Sequence, residues 1–179
     1  DGCVTLREGE CMGACGDAPV LLVDNKRMCS RMSPERLDAL VEEVLLASRL
    51  DAQQAGPAAA PVDLIAIAAE EAARVGAELQ AKQSTLVVQG DERLLRRALR
   101  NLLENARRYG GAEVSVELVR SSSGAEVRVC DRGPGVPPDQ RERIFEPFYR
   151  LPGASERDGG VGLGLALVKA ITQRHNGEV

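Results

Sequence analysis

Between Asp91 and Cys130 the apolar residues change their period, from one that suits a helix to one that suits strands. Leu94, Leu95, Ala98, Leu99, Leu102, Leu103 and Ala106 recur three and four apart, which makes one broad apolar face on a helix. Asp91 stands where it can cap that helix. Val114, Val116 and Leu118 then alternate with Glu113, Ser115 and Glu117. Val127 and Val129 alternate with Glu126, Arg128 and Cys130, again the pattern of a half-buried strand. Ser121–Gly124 joins the two strands as a hairpin loop. Aromatic residues make up only 2% of the chain, with no Trp, so aliphatic side chains must fill the core.

The rest of the chain reads more simply. Val20–Val23 is a short buried strand and Asp24-Asn25 a turn. Ser33-Pro34 starts a helix, with Ser as cap and Pro at the first helical position. Leu37, Leu40, Val41, Val44 and Ser48 carry that helix on to about Ala52. Gly56–Pro61 is a linker. A further helix is predicted over Val62–Gln80 and a strand over Ser84–Gln89. Gly133–Gly160, rich in Pro, Gly and charge, is expected to be a mobile lid, and Leu163–Arg174 a last helix.

The 179 residues allow one ordinary domain or two small ones. A net charge of −4 argues against a nucleic-acid partner, which would meet a basic stripe. No apolar run is long enough for a membrane span, since Asp63 and Glu70 bracket the best one. The first residues do not read as a basic-then-apolar signal peptide, and a start at Asp1 rather than Met is what a chain cut from something longer would show. Four of the five cysteines, Cys3, Cys11, Cys15 and Cys29, fall in the first thirty residues. Without a secretion signal, that clustering points to metal or redox chemistry rather than to a disulfide framework. Cys130, on a strand, reads as a small core filler.

Four constellations carry chemistry. Asn101 and Asn105 are four apart on the third helix and share a face. Their amide oxygens are hard donors suited to Mg²⁺, and Arg108 follows within a turn to meet phosphate. Two asparagines on an ordinary amphipathic surface would look the same. Asp131-Arg132-Gly133-Pro134-Gly135 ends a strand, and Asp131 shares the parity of Val127 and Val129, so its carboxylate is expected to face inward and to need a donor such as an adenine amino group. A plain turn would also fit. Phe145-Glu146-Pro147-Phe148-Tyr149-Arg150 gathers both Phe residues and one of the two Tyr as an anchor for the lid, with Arg150 able to reach phosphates. Gly159-Gly160-Val161-Gly162-Leu163-Gly164 runs into the last helix, where bare backbone N–H groups can cradle phosphate.

In this order and on these elements, the four resemble the asparagine, Asp-x-Gly-x-Gly, Phe-rich and glycine boxes of sensor histidine kinases, within the gyrase, Hsp90 and MutL-type ATPases. The resemblance covers about Leu46–Val179. The Phe-rich box favours kinases over gyrase-like ATPases and anti-sigma serine kinases. The resemblance implies an α/β fold, a two-layer sandwich with one mixed sheet covered by helices on one face, continuing through two further strands beyond Val179. It implies ATP and Mg²⁺ as ligands. Asn105 would hold the metal beside Asn101, and Arg108 would contact phosphate. Tyr109 would flank the adenine and Asp131 would accept from its amino group, in a pocket shaped by Gly133 and Gly135. Gly160, Gly162, Leu163 and Gly164 would wrap the phosphates, with Arg150 near them.

The implied reaction moves the γ-phosphoryl group of ATP to a histidine on a separate dimerisation helix, and from there to a response regulator, in the cytoplasm, by a kinase whose parent can be membrane-anchored. Positioning and charge neutralisation would do most of the catalysis. The chain holds no His-Glu or His-Asp motif. Its one histidine, His175, reads as a residue at a helix C-terminus favoured by the dipole. Ala47–Asp51 is similar to the tail of the second dimerisation helix, so residues 45–61 read as helix end plus linker and 62–179 as the catalytic domain.

The first 44 residues point elsewhere. Cys11-Met12-Gly13-Ala14-Cys15-Gly16-Asp17 resembles the second cysteine pair of thioredoxin-like [2Fe–2S] ferredoxins, close to the thioredoxin-like component of NADH-quinone oxidoreductase. That resemblance implies Cys11 and Cys15 as two of four cluster ligands, the other pair lying upstream of Asp1. It leaves an iron–sulfur electron-transfer fragment, or an inert chimera of two partial domains, as the alternative functions. The two resemblances meet between about Glu42 and Leu46, and a gene fusion, a misassembled reading frame and deliberate joining all remain open as its origin.

Overall fold

In the structure, a computed structural model describing residues 21–23, 27–29, 33–52, 60–121, 124–151 and 161–179, the helix expected after Asp91 forms with both its cap and its apolar face. Asp91 accepts hydrogen bonds from the N–H groups of Arg93 and Leu94 and so starts that helix, Glu92–Gly110. Numbered in chain order, the strands are β1 (Leu21–Val23), β2 (Arg27–Cys29), β3 (Ala60–Asp63), β4 (Glu78–Ala81), β5 (Val87–Gly90), β6 (Ser115–Ser121) and β7 (Gly124–Cys130). The helices are α1 (Pro34–Ala52), α2 (Leu64–Val75), α3 (Glu92–Gly110) and α4 (Gly164–Arg174). Two 3-10 turns, Pro138–Gln140 and Arg143–Phe145, lie between β7 and α4.

The helix predicted over Val62–Gln80 is divided among three elements. Val62 and Asp63 end β3, and Asp63 caps α2 through Ile65 N–H at 3.0 Å while also taking Leu86 N–H at 3.0 Å. Gly76, at φ 69°, closes α2 in the left-handed conformation that favours glycine. Glu78 N–H then reaches Val114 C=O at 2.9 Å and draws β4 into the sheet. The strand expected over Ser84–Gln89 begins later, at Val87. The Asp24-Asn25 turn, Cys3, Cys11, Cys15 and most of the Gly56–Pro61 linker lie outside the described residues.

The strands form separate hydrogen-bonded groups rather than the single mixed sheet expected. β4 runs parallel to β6, which pairs antiparallel with β7 from Ser115↔Cys130 to Ser121↔Gly124. β3 pairs antiparallel with β5, and β1 with β2. One aliphatic core joins the groups of β3–β5 and β4–β6–β7. Val62, Leu86, Val114, Val116 and Leu118 meet Ile67, Ala68 and Ala72 of α2 and Leu99, Leu103 and Ala106 of α3. Helices packed over open sheets, of which β4–β6–β7 is mixed, thus make the two-layer α/β arrangement anticipated. Cys130 is exposed rather than a core filler, because it falls on the outer face of β7 as the strand ends.

One polar network and one apolar contact bind the helical layer. Glu71 of α2 is 1% exposed, and its two oxygens accept from Arg100 Nε and Nη2 of α3, each at 2.9 Å. Those hydrogen bonds hold its carboxyl below the usual range, against burial that pushes it up. Arg96 joins the same network through Glu92 at 2.8 Å and through Glu70. On the other side, α1 packs on α4. Leu40, 4% exposed, and Val44 close over Leu163, Phe148 and Val161. Leu37, Val41 and Leu45 stay exposed, so only one edge of the apolar face expected of α1 is covered.

Candidate functional site

The site is laid out along α3, whose residues meet a different partner at each end. Near its middle, Asn101 is 7% exposed and donates Nδ2–H to Gly164 C=O at 3.2 Å. That bond sets the first residue of α4 against α3. Asn105 lies one turn further on, half-buried, and its side chain makes no hydrogen bond to another described residue. Arg108 and Tyr109 follow on the exposed side of the last turn. At the end of the helix, Gly110 is buried against Asp131, which β7 delivers from the sheet. Nine residues separate Asn101 from Gly110, roughly 13 Å along the axis.

Asp131 departs from its expected placement. β7 ends at Cys130, so strand parity no longer applies, and the side chain is exposed rather than inward-facing. Its Oδ1 accepts the N–H of Gly133 at 2.7 Å. Oδ2 has no hydrogen-bond partner among the described residues and is free to accept from a ligand. Gly133 is pressed close to the end of α3: a Cβ there would lie 2.6 Å from Tyr109 O. Gly135 has φ 74° and open space around it.

The first half of the expected lid is built, not loose. Tyr149 donates its hydroxyl hydrogen bond to Gln140, and Arg143 lies 4.5 Å above the Tyr149 ring. Lys169 of α4 lies 5.9 Å from the Phe145 ring centroid. Phe148 is left-handed at φ 64°, a conformation that costs about 1–3 kcal/mol in a residue with a side chain. Its N–H donates to Gly162 C=O at 2.9 Å. Gly162, at φ 86°, permits this approach, since a Cβ there would lie 2.8 Å from Tyr149 O. The Phe-rich and glycine boxes are therefore sewn together at their inner ends. Arg150 is half-buried and Leu163 is 2% exposed under α1. Gly160 and Gly159 lie outside the described residues.

Charge reaches the site from α1. Glu43 accepts from Arg97 Nη2 of α3 at 2.7 Å. Burial pushes the Glu43 carboxyl up; Arg97 pulls it back, Glu104 adds to the rise and Arg108 opposes it. One α1 carboxylate thus feels the charges on the same α3 face that carries Asn105. His175 stands apart from the site. Its Nδ1 pairs with Ile171 C=O at 2.7 Å and its Nε2 accepts Asp91 N–H at 3.0 Å, which fixes the neutral Nδ1–H tautomer and ties α4 to the start of α3.

Sequence reasoning passed over two residues here. Gly110 has no motif value, and its signal is only a second glycine before Gly111 at a helix end. Glu43 lay in the segment assigned to the other resemblance, and nothing in the pattern marks its partner Arg97.

Comparison with known proteins bears on the same residues. The family model for histidine kinase-, DNA gyrase B- and HSP90-like ATPases matches residues 90–179. A second model, for thioredoxin-like [2Fe-2S] ferredoxins, matches residues 1–45. The sensor-like histidine kinase SenX3 of Mycolicibacterium smegmatis is 35% identical over 86% of this chain and 44% of its own length. The chain therefore spans under half the length of this curated relative. Coverage that wide also takes in part of residues 1–45, so the two likenesses overlap. Among solved structures, the mycobacterial sensor histidine kinase MprB is 34% identical, with a TM-score of 0.56 over 66% of this chain and 80% of that one. Full-length ShkA, solved in complex with AMPPNP, is 31% identical with a TM-score of 0.64, over 78% of this chain and 31% of its own.

Proposed function

The chain belongs to the sensor histidine kinase branch of the histidine kinase-, DNA gyrase B- and HSP90-like ATPases, and on that footing we propose that the α3 face binds Mg²⁺–ATP and presents its γ-phosphoryl group to a histidine on a partner dimerisation helix. The observation that carries this reading is the layout of α3. One rigid helix seats an exposed carboxylate at its end and the glycine-lined start of α4 roughly 13 Å away, a separation that suits a base and a polyphosphate.

The donor set fits the ligand. Asp131 Oδ2 can accept from an exocyclic amine and offers nothing to a keto oxygen. Tyr109, 40% exposed beside it, offers a ring face to the base. Asn105 presents a free amide oxygen, the hard donor that Mg²⁺ takes beside phosphate oxygens and water. Mg²⁺ held there would supply charge neutralisation. Arg108, with Arg150 behind the lid, supplies positive charge for the phosphates. The start of α4 offers backbone N–H groups, with Gly162, Leu163 and Gly164 keeping the approach open. Gly133 and Gly135 let the loop leave β7 without crowding the base. The phosphoryl acceptor is a histidine in trans, and a response regulator takes the group next, in the cytoplasm. No helix among the described residues is long and apolar enough to cross a membrane.

The test is binding of a fluorescent adenine nucleotide by the full chain, with and without Mg²⁺. Binding that needs Mg²⁺ and drops in Asp131→Asn is expected. Equal binding by the two proteins, or none by either, rejects the reading.

The ferredoxin likeness supports electron transfer less far. Cys11 and Cys15 lie outside the described residues. Among those described, no group of three or more His, Cys, Asp or Glu side chains could hold a metal. Anaerobic reconstitution with iron and sulfide checks the electron-transfer reading, and a colourless protein without bound iron removes it.

A further inference from the structure

We infer that Gly110, the last residue of α3, is a positioning residue that sets how well the site tells adenine from guanine. The inference rests on the nucleotide reading above and adds to it a residue outside every box.

The geometry is steric. A Cβ on Gly110 would lie 2.1 Å from Asp131 Cβ, 2.4 Å from its Cγ and 2.6 Å from its Oδ1. All three are inside the closest approach of carbon and oxygen atoms, and the first two are to the root of the side chain, which cannot swing aside. Gly133 packs beside Gly110: a Cβ on Gly133 would lie 3.0 Å from Asp131 Oδ1 and 3.0 Å from Gly110 Cα. The exposed acid therefore rests by its root on two adjacent residues without side chains. Its Oδ1 is committed to Gly133 N–H at 2.7 Å, so the direction of the free Oδ2 depends on that close contact.

Direction matters because the acid is read against a distant point. Asn101 fixes the α4 end of the site on the same helix. With the phosphates held there, a shift of Asp131 by about an ångström moves Oδ2 off the amine of a bound adenine. A carboxylate in place rewards an amine and rejects a keto oxygen; a displaced one does neither, so discrimination falls before phosphate binding does.

The experiment uses the full chain and three probes, ADP, GDP and pyrophosphate, each with Mg²⁺, read by calorimetry. Circular dichroism and the thermal midpoint report the fold. For Gly110→Ala, the expected result is an ADP affinity about tenfold lower or worse, with ADP and GDP brought close together. Pyrophosphate affinity should stay within about twofold of the unchanged chain. On an Asp131→Gly background, which removes the atoms Gly110→Ala would strike, the same substitution should change ADP affinity by less than about twofold. Unchanged ADP affinity and selectivity overturn the inference. So does equal loss of ADP and pyrophosphate, which is what a merely structural defect would give, and so do additive losses in the double variant. If Gly110→Ala does not fold, Gly133→Ala tests the neighbouring contact with Asp131, and an ADP-to-GDP ratio equal to that of the unchanged chain overturns the inference there. An unchanged chain that binds no ADP would instead remove the nucleotide reading itself.

Discussion

At the scale of single residues, His175 shows how the one imidazole in the chain can be spent on structure. Both ring nitrogens are engaged, one with Ile171 C=O and the other with Asp91 N–H, the very residue that caps α3. His175→Ala removes both bonds and should lower the unfolding free energy by about 1–2 kcal/mol, read by urea denaturation. It should leave no trace in a phosphorylation assay: incubation with ATP is expected to put no acid-labile phosphate on His175, and phosphate found there would contradict its structural role. Asn101→Ala should act at the other end of α4. Loss of its bond to Gly164 C=O is expected to cost about 1 kcal/mol and to raise hydrogen exchange at Leu167 N–H, which closes the first turn of α4 on Leu163 C=O. The residue types of the site were legible in the sequence because amides, acids and glycines advertise their chemistry. Their surroundings were not. Parity carried Asp131 inward only on the assumption that β7 continued past Cys130, and nothing in a sequence reports the empty volume at Gly110 that the acid requires.

At the scale of elements, legibility followed locality. α3 could be read because its cap and its apolar face lie within its own length. β4 could not: Glu78–Ala81 is four residues with little apolar content, and it becomes a strand through pairing with β6, far along the chain. The same reasoning hid Glu71, which looks like one more charge on a polar helix face until Arg100 closes over it. Its folded carboxyl is held below the usual range, so the stability it contributes is present above that range and is lost as pH falls through the lowered value. Acid titration of the unfolding free energy should therefore show a step that Glu71→Gln removes. At neutral pH, Glu71→Ala should cost about 3 kcal/mol by leaving Arg100 unpaired, whereas Glu70→Ala, at an exposed partner of Arg96, should cost under about 1 kcal/mol. A similar loss from both would mean that the network contributes no more than surface charge.

At the scale of the whole molecule, the question is what α1 does to the rest. It lies outside the matched ATPase segment, yet Leu40 and Val44 bury Leu163 and Phe148, and Glu43 pairs with Arg97 beside the proposed phosphate face. The two likenesses overlap here, and the contact gives the overlap a physical meaning: whatever joined the segments, the helix between them fits the core. Its fit should depend on pH. Burial raises the folded carboxyl of Glu43 above its ordinary value, so its contribution is present below that value and declines as pH rises through the raised one. Hydrogen exchange at α1 amides should consequently quicken, relative to α3, as pH rises above the ordinary carboxylate range once intrinsic exchange is divided out. Glu43→Gln keeps a partner for Arg97 without the charge to be desolvated, so it should flatten that dependence. Leu40→Asp should instead abolish α1 protection at every pH while leaving the core formed by Leu103 and Leu118 intact, because Leu40 belongs to the separate cluster around Leu163. The same pH slope in the unchanged chain and in Glu43→Gln would show that apolar contact alone holds α1, and that its carboxylate is a bystander to the face it overlooks.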